Sequence, residues 1–331
     1  VVACQSPKRN FSHGQSLKKP PLSSVFRLSK LAEIDSAIIQ AIDSGKAPGA
    51  VLRIANNGIV YRRVYGDKSI RPNISPMHYE TIFDCASLTK VIATAPSISI
   101  LLEQGKLGLN DKVDQWIPGF KKNGKGGVTI RHLLTHTSGL RPGLSLRSEW
   151  LGVEAAIEKA KAERINFQPN TRFVYSDINF ILLGEIVRLV SGQSLDKFAT
   201  ENIFLPLGMV DTGFQPASDK LSRIAPTEQL GEIILHGEVH DPTARRMGGV
   251  AGHAGLFTTA KDLGIFASMM LNAGNYGGRS IFSNETIDLM TTSQTAPDMK
   301  VRRGLGWDIS SPYSSPRGNH FGLSSYGHTG W

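Results

Sequence analysis

Between Ile178 and Val190 the chain is apolar almost all round the circumference of a helix. Such a helix is a buried one, enclosed by other elements. Ser87 to Gln104 is a second long apolar segment, ending at Gly105, and Pro96 inside it predicts a kink or a division. No apolar run is expected to reach the ~18 residues of a membrane span. A chain of 331 residues, 40% hydrophobic and 20% charged, can supply a sizeable core, as one large domain or about two.

Upstream, Leu31, Ile34, Ile38 and Ile42 recur at helical spacing, with Ser29 as candidate N-cap and Gly45 as candidate stop. Two strand-like runs follow, Ala50 to Ala55 and Ile59 to Tyr65. They flank Asn56-Asn57-Gly58, where Asn-Gly supplies the positive φ of a tight hairpin turn. Ile82-Phe83 leads into the Ser87 segment. From Val128 to about Leu207 the pattern is mostly helical: Glu154 to Arg164 is amphipathic, and Ser194 caps a helix reaching Phe204. After Phe214 the chain is glycine-rich and irregular. Helices are then expected from Ala260 to Leu271 and from Ser283 to Met290, and short strands at Leu305 to Ile309 and Ser325 to His328. Strands, then helices, then strands is an α+β order: an antiparallel sheet made from both chain ends, with a helical lobe inserted.

The formal net charge is +9, and Lys8, Arg9, Lys18, Lys19, Arg27 and Lys30 crowd the first thirty residues. Such a balance favours anionic partners. No basic run is interleaved with aromatics, so no nucleic-acid partner is expected. Val1-Val2-Ala3-Cys4 looks like the end of a bacterial lipoprotein signal, with Cys4 the lipidated residue. Gln5 to Ser24, polar and rich in Ser, Pro and Lys, reads as a tether. The expected organisation is a leader and tether over 1–27 and a folded domain over 28–331. Its expected location is the bacterial cell envelope, periplasmic or membrane-anchored through Cys4. With Cys4 and Cys85 as the only cysteines, a disulfide framework and a Cys-rich metal site are excluded.

Ser-x-x-Lys occurs three times, at Ser16/Lys19, Ser87/Lys90 and Ser194/Lys197. Ser16 lies in the polar leader, and Ser194 is explained as a helix cap. Ser87 opens an apolar helix directly after a strand-like stretch. Ser87 and Lys90 stand at i and i+3, so they share a helix face. At a helix start the backbone N–H groups are free and the local field favours an anion. A serine hydroxyl is a poor nucleophile until its proton is taken. A lysine takes a proton only as the free amine, so the pKa of Lys90 is expected to fall by several units.

Two further elements stand in order behind it. Phe173-Val174-Tyr175-Ser176-Asp177-Ile178-Asn179 enters the buried helix, with Tyr175 just before the cap. Tyr326-Gly327-His328-Thr329-Gly330-Trp331 is a strand ending in small residues, where a backbone can approach a ligand. With Ser87/Lys90, Tyr175 and His328-Thr329-Gly330 in this order, the sequence resembles the serine β-lactamase and penicillin-binding protein superfamily. The likeness is to its class C β-lactamase, D-alanyl-D-alanine carboxypeptidase and esterase branch. Leu133-Leu134-Thr135-His136-Thr137-Ser138-Gly139-Leu140 and the string from Gly248 to Phe257 resemble it too. The likeness spans roughly Ala47 to Trp331. The second string looks most like members linked to cell-wall turnover.

The resemblance implies a β-lactamase/transpeptidase-like fold and an acyl-enzyme on Ser87. Lys90 and Tyr175 would share proton transfer, which of them is the base being left open. Backbone N–H groups of Ser87 and Trp331 would hold the oxyanion. Asp177, His328, Thr329 and Gly330 would line the substrate site. Two departures from the family pattern stand out. Asp177 replaces the usual Asn and donates no hydrogen bond when ionised. His328 replaces Lys, and a neutral imidazole attracts a carboxylate less than an ammonium does. Both suit a peptidase or an esterase better than an efficient β-lactamase.

His136 is expected to be structural, and His253 to edge the cleft. His240-Asp241 with His253 or His236 lacks a metal-ligand spacing, so neither a metal nor another cofactor is expected. Cys85 reads as small core filling. Family members continue past Thr-Gly with another strand and a C-terminal helix. The chain ends at Trp331, so a truncated domain with an unpaired edge at Tyr326 is expected. The function expected is hydrolysis of D-alanyl cell-wall peptides. A small-ester carboxylesterase, a β-lactamase and a non-turnover penicillin- or peptidoglycan-binding module are the alternatives.

Overall fold

A computed structural model describes residues 2–4, 20–318, 320–322 and 324–330. Most of the expected tether therefore lies outside the described residues, as does Trp331. Strand β1 is Val2–Cys4. Helix α1 (Leu28–Asp43) starts one residue before the expected Ser29 cap, with Arg27 in the cap position. Asp35 on α1 accepts hydrogen bonds from Tyr61 (2.6 Å) and Tyr65 (2.5 Å), which fasten the helix to the hairpin behind it.

That hairpin is β2 (Gly49–Asn56) and β3 (Ile59–Ser69), paired from Gly49↔Gly66 to Asn56↔Ile59. Asn57 and Gly58 take φ of +48° and +76°, as a two-residue Asn-Gly turn requires. Strand β4 (Ser75–Pro76) extends the ladder. Strand β5 (Phe83–Asp84) then leads into the long apolar segment.

Residues Ala86–Glu103 run helically in three registers: a 3-10 turn at Ala86–Leu88, a π-turn at Lys90–Thr94, and α2 (Ala95–Glu103). Pro96 has no N–H for the helix, and the widened turn falls just before it. By length and composition this stretch is apolar enough to cross a membrane, with a mean hydropathy of 1.2. That corrects the expectation of no such run. It is 83% buried inside the fold, as a core helix is.

Helices α3 (Val113–Trp116), α4 (Ile130–Leu134) and α5 (Val153–Ala162) pack on α6 (Asp177–Ser191). Every residue of α6 from Ile178 to Leu183 is buried, as its all-round apolarity dictates. Helices α7 (Leu195–Ala199) and α8 (Leu205–Leu207) flank a π-turn at Thr200–Phe204. Ser194 holds the N-cap position of α7 without a side-chain cap bond.

The glycine-rich region is more ordered than expected. It holds β6 (Gly213–Phe214), the hairpin β7 (Glu228–Leu230) and β8 (Ile233–Leu235), α9 (Pro242–Arg246) and β9 (Leu256–Thr258). Strand β9 lies between β5 and β6, which ties the glycine-rich segment to the start of the Ser87 turn. Helix α10 (Ala260–Leu271), the small hairpin β10 (Asn275–Tyr276) and β11 (Arg279–Ser280), and α11 (Asn284–Thr291) follow. Thr259 and Ser283 cap the two helices with their side chains.

Strands β12 (Arg302–Arg303), β13 (Asp308–Ser310) and β14 (Ser325–Gly327) join β1 in an antiparallel sheet ordered β1-β14-β13-β12. The strand expected from Leu305 begins at Asp308. Leu305 to Trp307 form a turn through Gly306, closed by Gly304 N–H donating to Trp307 O. The unpaired edge expected at Tyr326 is also corrected. Strand β1 pairs along β14 from Val2↔Gly327 to Cys4↔Ser325, so the sheet is built from both chain ends. The ladder β2-β3-β4 is separate from it. A single apolar cluster runs from Ile82 through α2 and α6 to Trp307 and Tyr326.

Candidate active site

The turn that presents Ser87 is pinned before it begins. Asp84 accepts from Ala86 N–H at 2.8 Å and from His240 N–H at 2.7 Å. Ala86 has a φ of +45°, uncommon for a residue with a Cβ. One turn on, Lys90 is wholly buried. Its Nζ lies 3.0 Å from Ser87 Oγ, 2.9 Å from His253 O and 2.7 Å from Asp177 Oδ1. Ser87 Oγ and His253 O accept hydrogen bonds from the ammonium, and Asp177 faces it as counter-ion. Burial works against that charge, but Tyr175 and Asp177 outweigh it and raise the pKa of Lys90 above its ordinary value. The expected fall in this pKa is therefore corrected: the resting lysine is protonated and donates to Ser87.

Tyr175 stands just outside Ser176, the N-cap of α6. The Lys90 ammonium lies 5.0 Å from the centre of its ring. His136 supports it from below. The imidazole is fully buried, stacks on Tyr175 at 4.4 Å, and accepts from Ser176 N–H through Nδ1 at 3.0 Å. Burial, helped by Arg303 and Lys90, holds His136 well below the usual histidine range, so the ring is neutral. Asn179 accepts from Ser138 at 2.6 Å. The segment around His136 is thus a cradle for the start of α6.

Strand β14 delivers His328, Thr329 and Gly330 to a pocket shared with Ser87, Tyr175 and Tyr313. Burial, then Arg303 and Lys90, hold His328 well below the usual range, and its Nδ1 donates to Thr329 O at 2.7 Å. It is neutral there and brings no charge. A Cβ on Gly330 would lie 2.6 Å from Cys85 O, so β14 approaches the nucleophile turn as closely as only glycine allows. The backbone of Trp331, the second expected oxyanion donor, lies outside the described residues. Cys85 is buried, and its thiol donates to Leu256 O at 2.9 Å.

The pocket also holds charges that the sequence reading missed. Arg303 is fully buried, 3.1 Å from Asp308 Oδ1 and 2.7 Å from Gly306 O. Arg317 donates to Asp308 Oδ2 and to Ile309 O, each at 2.7 Å. Arg303 follows another arginine, and Arg317 sits in a polar stretch; neither spacing signals a site.

Asp177, Asp241 and His253 bring ligand atoms within 4.8 Å of one another. His253 Nε2 meets Asp241 Oδ1 at 2.9 Å, and Lys90 already faces Asp177 as its cation. His253 is 1% exposed, so it meets the site through its carbonyl oxygen on Lys90 rather than as a cleft edge. His240 turns instead to Glu228 at 3.1 Å.

Comparison with known proteins agrees with this geometry. The β-lactamase family pattern matches residues 34–331. A protein of Escherichia coli K12, provisionally named a D-alanyl-D-alanine carboxypeptidase, is 33% identical over 94% of this chain and 80% of its own length. An N-acetylmuramyl-L-alanine amidase of Bacillus subtilis is 34% identical over 92% of this chain and 77% of its own. The octameric penicillin-binding protein homologue from Pyrococcus abyssi superposes with a TM-score of 0.70 at 26% identity, covering 86% of this chain and 66% of that one. The chain belongs to the β-lactamase family and has its mixed helix-and-sheet hydrolase fold.

Proposed function

We propose that this hydrolase forms an acyl-enzyme on Ser87 and cleaves peptides ending in D-alanyl-D-alanine. The observation that carries the reading is the charge beside the nucleophile. Arg303 and Arg317 face the single carboxylate of Asp308, so the β12–β14 wall keeps one net positive charge. Arg303 Nε is buried with no partner among the described residues. The net positive charge of the wall attracts an anion, and the carboxylate of a C-terminal residue supplies one beside Thr329 and Gly330. Neutral His328 leaves that charge to the arginines. The names of the two curated relatives, both concerned with cell-wall peptides, support the same substrate class. The lipoprotein-like segment at Val1 to Cys4 fits a location in the cell envelope.

Once the resting Lys90 ammonium has released a proton to solvent, Ser87 Oγ bonds to the acyl carbon while its own proton enters the Lys90–Tyr175–Asp177 cluster. The backbone N–H of Ser87 is one donor to the oxyanion. The C–N bond then breaks, and the leaving amine takes a proton from the cluster. Water repeats the sequence on the acyl-enzyme and frees Ser87.

The test is release of D-alanine from peptides ending in D-alanyl-D-alanine, against the same peptides amidated at the C-terminus. Release should vanish in Ser87→Ala and fall about tenfold or more for the amides. Turnover of p-nitrophenyl acetate with no D-alanine release would overturn the reading in favour of an esterase. A lasting adduct of fluorescent penicillin on Ser87 without turnover of any substrate would favour a binding module.

A further inference from the structure

The two oxygens of Asp177 have different surroundings. Oδ1 is held by Lys90 at 2.7 Å. No described residue donates a hydrogen bond to Oδ2, and the side chain is 33% exposed where Lys90 is wholly enclosed. A carboxylate accepts and never donates. Its outer oxygen therefore suits a donor on the substrate, and a cationic donor best of all.

The position of Asp177 limits which substrate atom that is. Lys90 Nζ touches both Ser87 Oγ and Asp177 Oδ1, so the carboxylate is one atom removed from the nucleophile. An attacking oxygen stands roughly 3 Å from the acyl carbon. The nitrogen on the next carbon of the acyl group is the nearest substrate donor that can turn toward Asp177. Other charges around the pair are already committed. Asp241 is bound by His253 and by Ala244 N–H at 2.7 Å. Arg303 and Arg317 are bound to Asp308 on the sheet wall, and His136 and His328 are neutral. Tyr313, from the turn beside the sheet, feels Asp177 but carries no counter-charge.

Resting on the acyl-transfer reading above, we propose that Asp177 determines specificity, its outer oxygen binding the free α-ammonium of the acyl residue. The enzyme then prefers acyl groups with an unblocked α-amino group over N-acylated ones. Within the class of peptides ending in D-alanyl-D-alanine, this and the arginine wall point to the free dipeptide, with carboxylate on the leaving side and ammonium on the acyl side, ahead of longer peptides whose penultimate nitrogen is acylated. An N-acyl group would replace the cation with a weaker amide donor and set a carbonyl oxygen close to the carboxylate.

The experiment compares two pairs of compounds on the full chain. One pair is D-alanyl-D-alanine and N-acetyl-D-alanyl-D-alanine, read as D-alanine released. The other is the p-nitrophenyl esters of D-alanine and N-acetyl-D-alanine, read above the Ser87→Ala background. The wild-type kcat/KM should favour the free amine by about tenfold or more, chiefly through KM. Asp177→Asn should abolish or reverse that ratio, and Asp177→Glu should keep its direction. Asp177→Ser takes the place of Asn should the latter not fold. The ratio cancels any change in how Ser87 is activated, which is common to both members of a pair. A wild-type ratio near or below one, or a ratio unchanged in Asp177→Asn, overturns the proposal. If neither dipeptide is cleaved, the D-alanyl peptide reading fails, and the ester pair still decides the role of Asp177.

Discussion

Lys90 and Asp177 form an ion pair of 2.7 Å in which the cation is wholly buried and the anion reaches the cleft. The pair sets the resting charge beside the nucleophile. Burial alone lowers the pKa of a lysine, yet that of Lys90 is raised because Tyr175 and Asp177 face it. To accept the Ser87 proton, the cluster must first lose one, so acylation should rise toward alkaline pH. Asp177→Asn leaves burial less opposed and lowers the pKa of Lys90. The rising limb should then move to lower pH, with faster acylation by p-nitrophenyl acetate near neutrality. Burst rates between about pH 6 and pH 10 measure this. A limb that stays in place would show that Asp177 does not govern the proton.

His136 and His328 make stability depend on pH in a defined direction. Both are buried neutral, with folded pKa values well below the unfolded value of 6.5. A depressed folded value means that the unfolded chain binds more protons below pH 6.5. Stability is therefore complete above that pH and is lost as pH falls toward the folded values. Each histidine contributes a slope of up to about 1.4 kcal/mol per pH unit in that window. Urea midpoints at about pH 7.5 and about pH 5 should show the loss, and His136→Gln should flatten the slope. An equal slope in that variant would remove His136 from the account.

What the sequence revealed and what it hid have different physical origins. The all-round apolarity of α6, the Asn57-Gly58 turn and the helix from Ala260 to Leu271 are local, and local patterns are legible. Tyr175 is far in sequence from Ser87 and Lys90, and only their order within a family pattern joined it to them. The charge of Lys90 was misread because it depends on Asp177, which a change of fold direction brings to it. Arg303, Asp308 and Arg317 were missed for the same reason: a buried arginine has no local signature, since burial is set by the sheet around it. The partner of β14 was missed because β1 pairs with it across nearly the whole chain.

The arginine wall also has a structural signature. Asp308 is 3% exposed and bonds both Arg303 and Arg317. Asp308→Asn leaves two buried guanidinium groups without their counter-ion and should cost about 3 kcal/mol or more. Replacing Arg303 and Asp308 together by Met and Leu should cost less than the single change, because one guanidinium group, that of Arg317, is then left without its counter-ion instead of two. Urea denaturation at neutral pH measures both. Additive losses would mean that the pair is not coupled as its geometry indicates.

Two glycines of the site should fail in different ways. A Cβ on Gly252 would lie 1.9 Å from Phe180 O, where the glycine-rich segment crosses α6. Neither backbone can yield without moving the helix, so Gly252→Ala should lose about 1–3 kcal/mol of stability. Gly330 is exposed at the end of β14, and its Cβ would lie 2.6 Å from Cys85 O. Here the strand end can retreat by a fraction of an ångström at little cost to the core. That retreat moves the backbone donors beyond Thr329 away from Ser87. Gly330→Ala should therefore melt close to the parent while acylation of Ser87 falls about 100-fold. Thermal melts and burst kinetics on the two variants separate the cases. A Gly330→Ala enzyme with normal burst rates would mean that the approach of β14 to Cys85 does not set the oxyanion geometry.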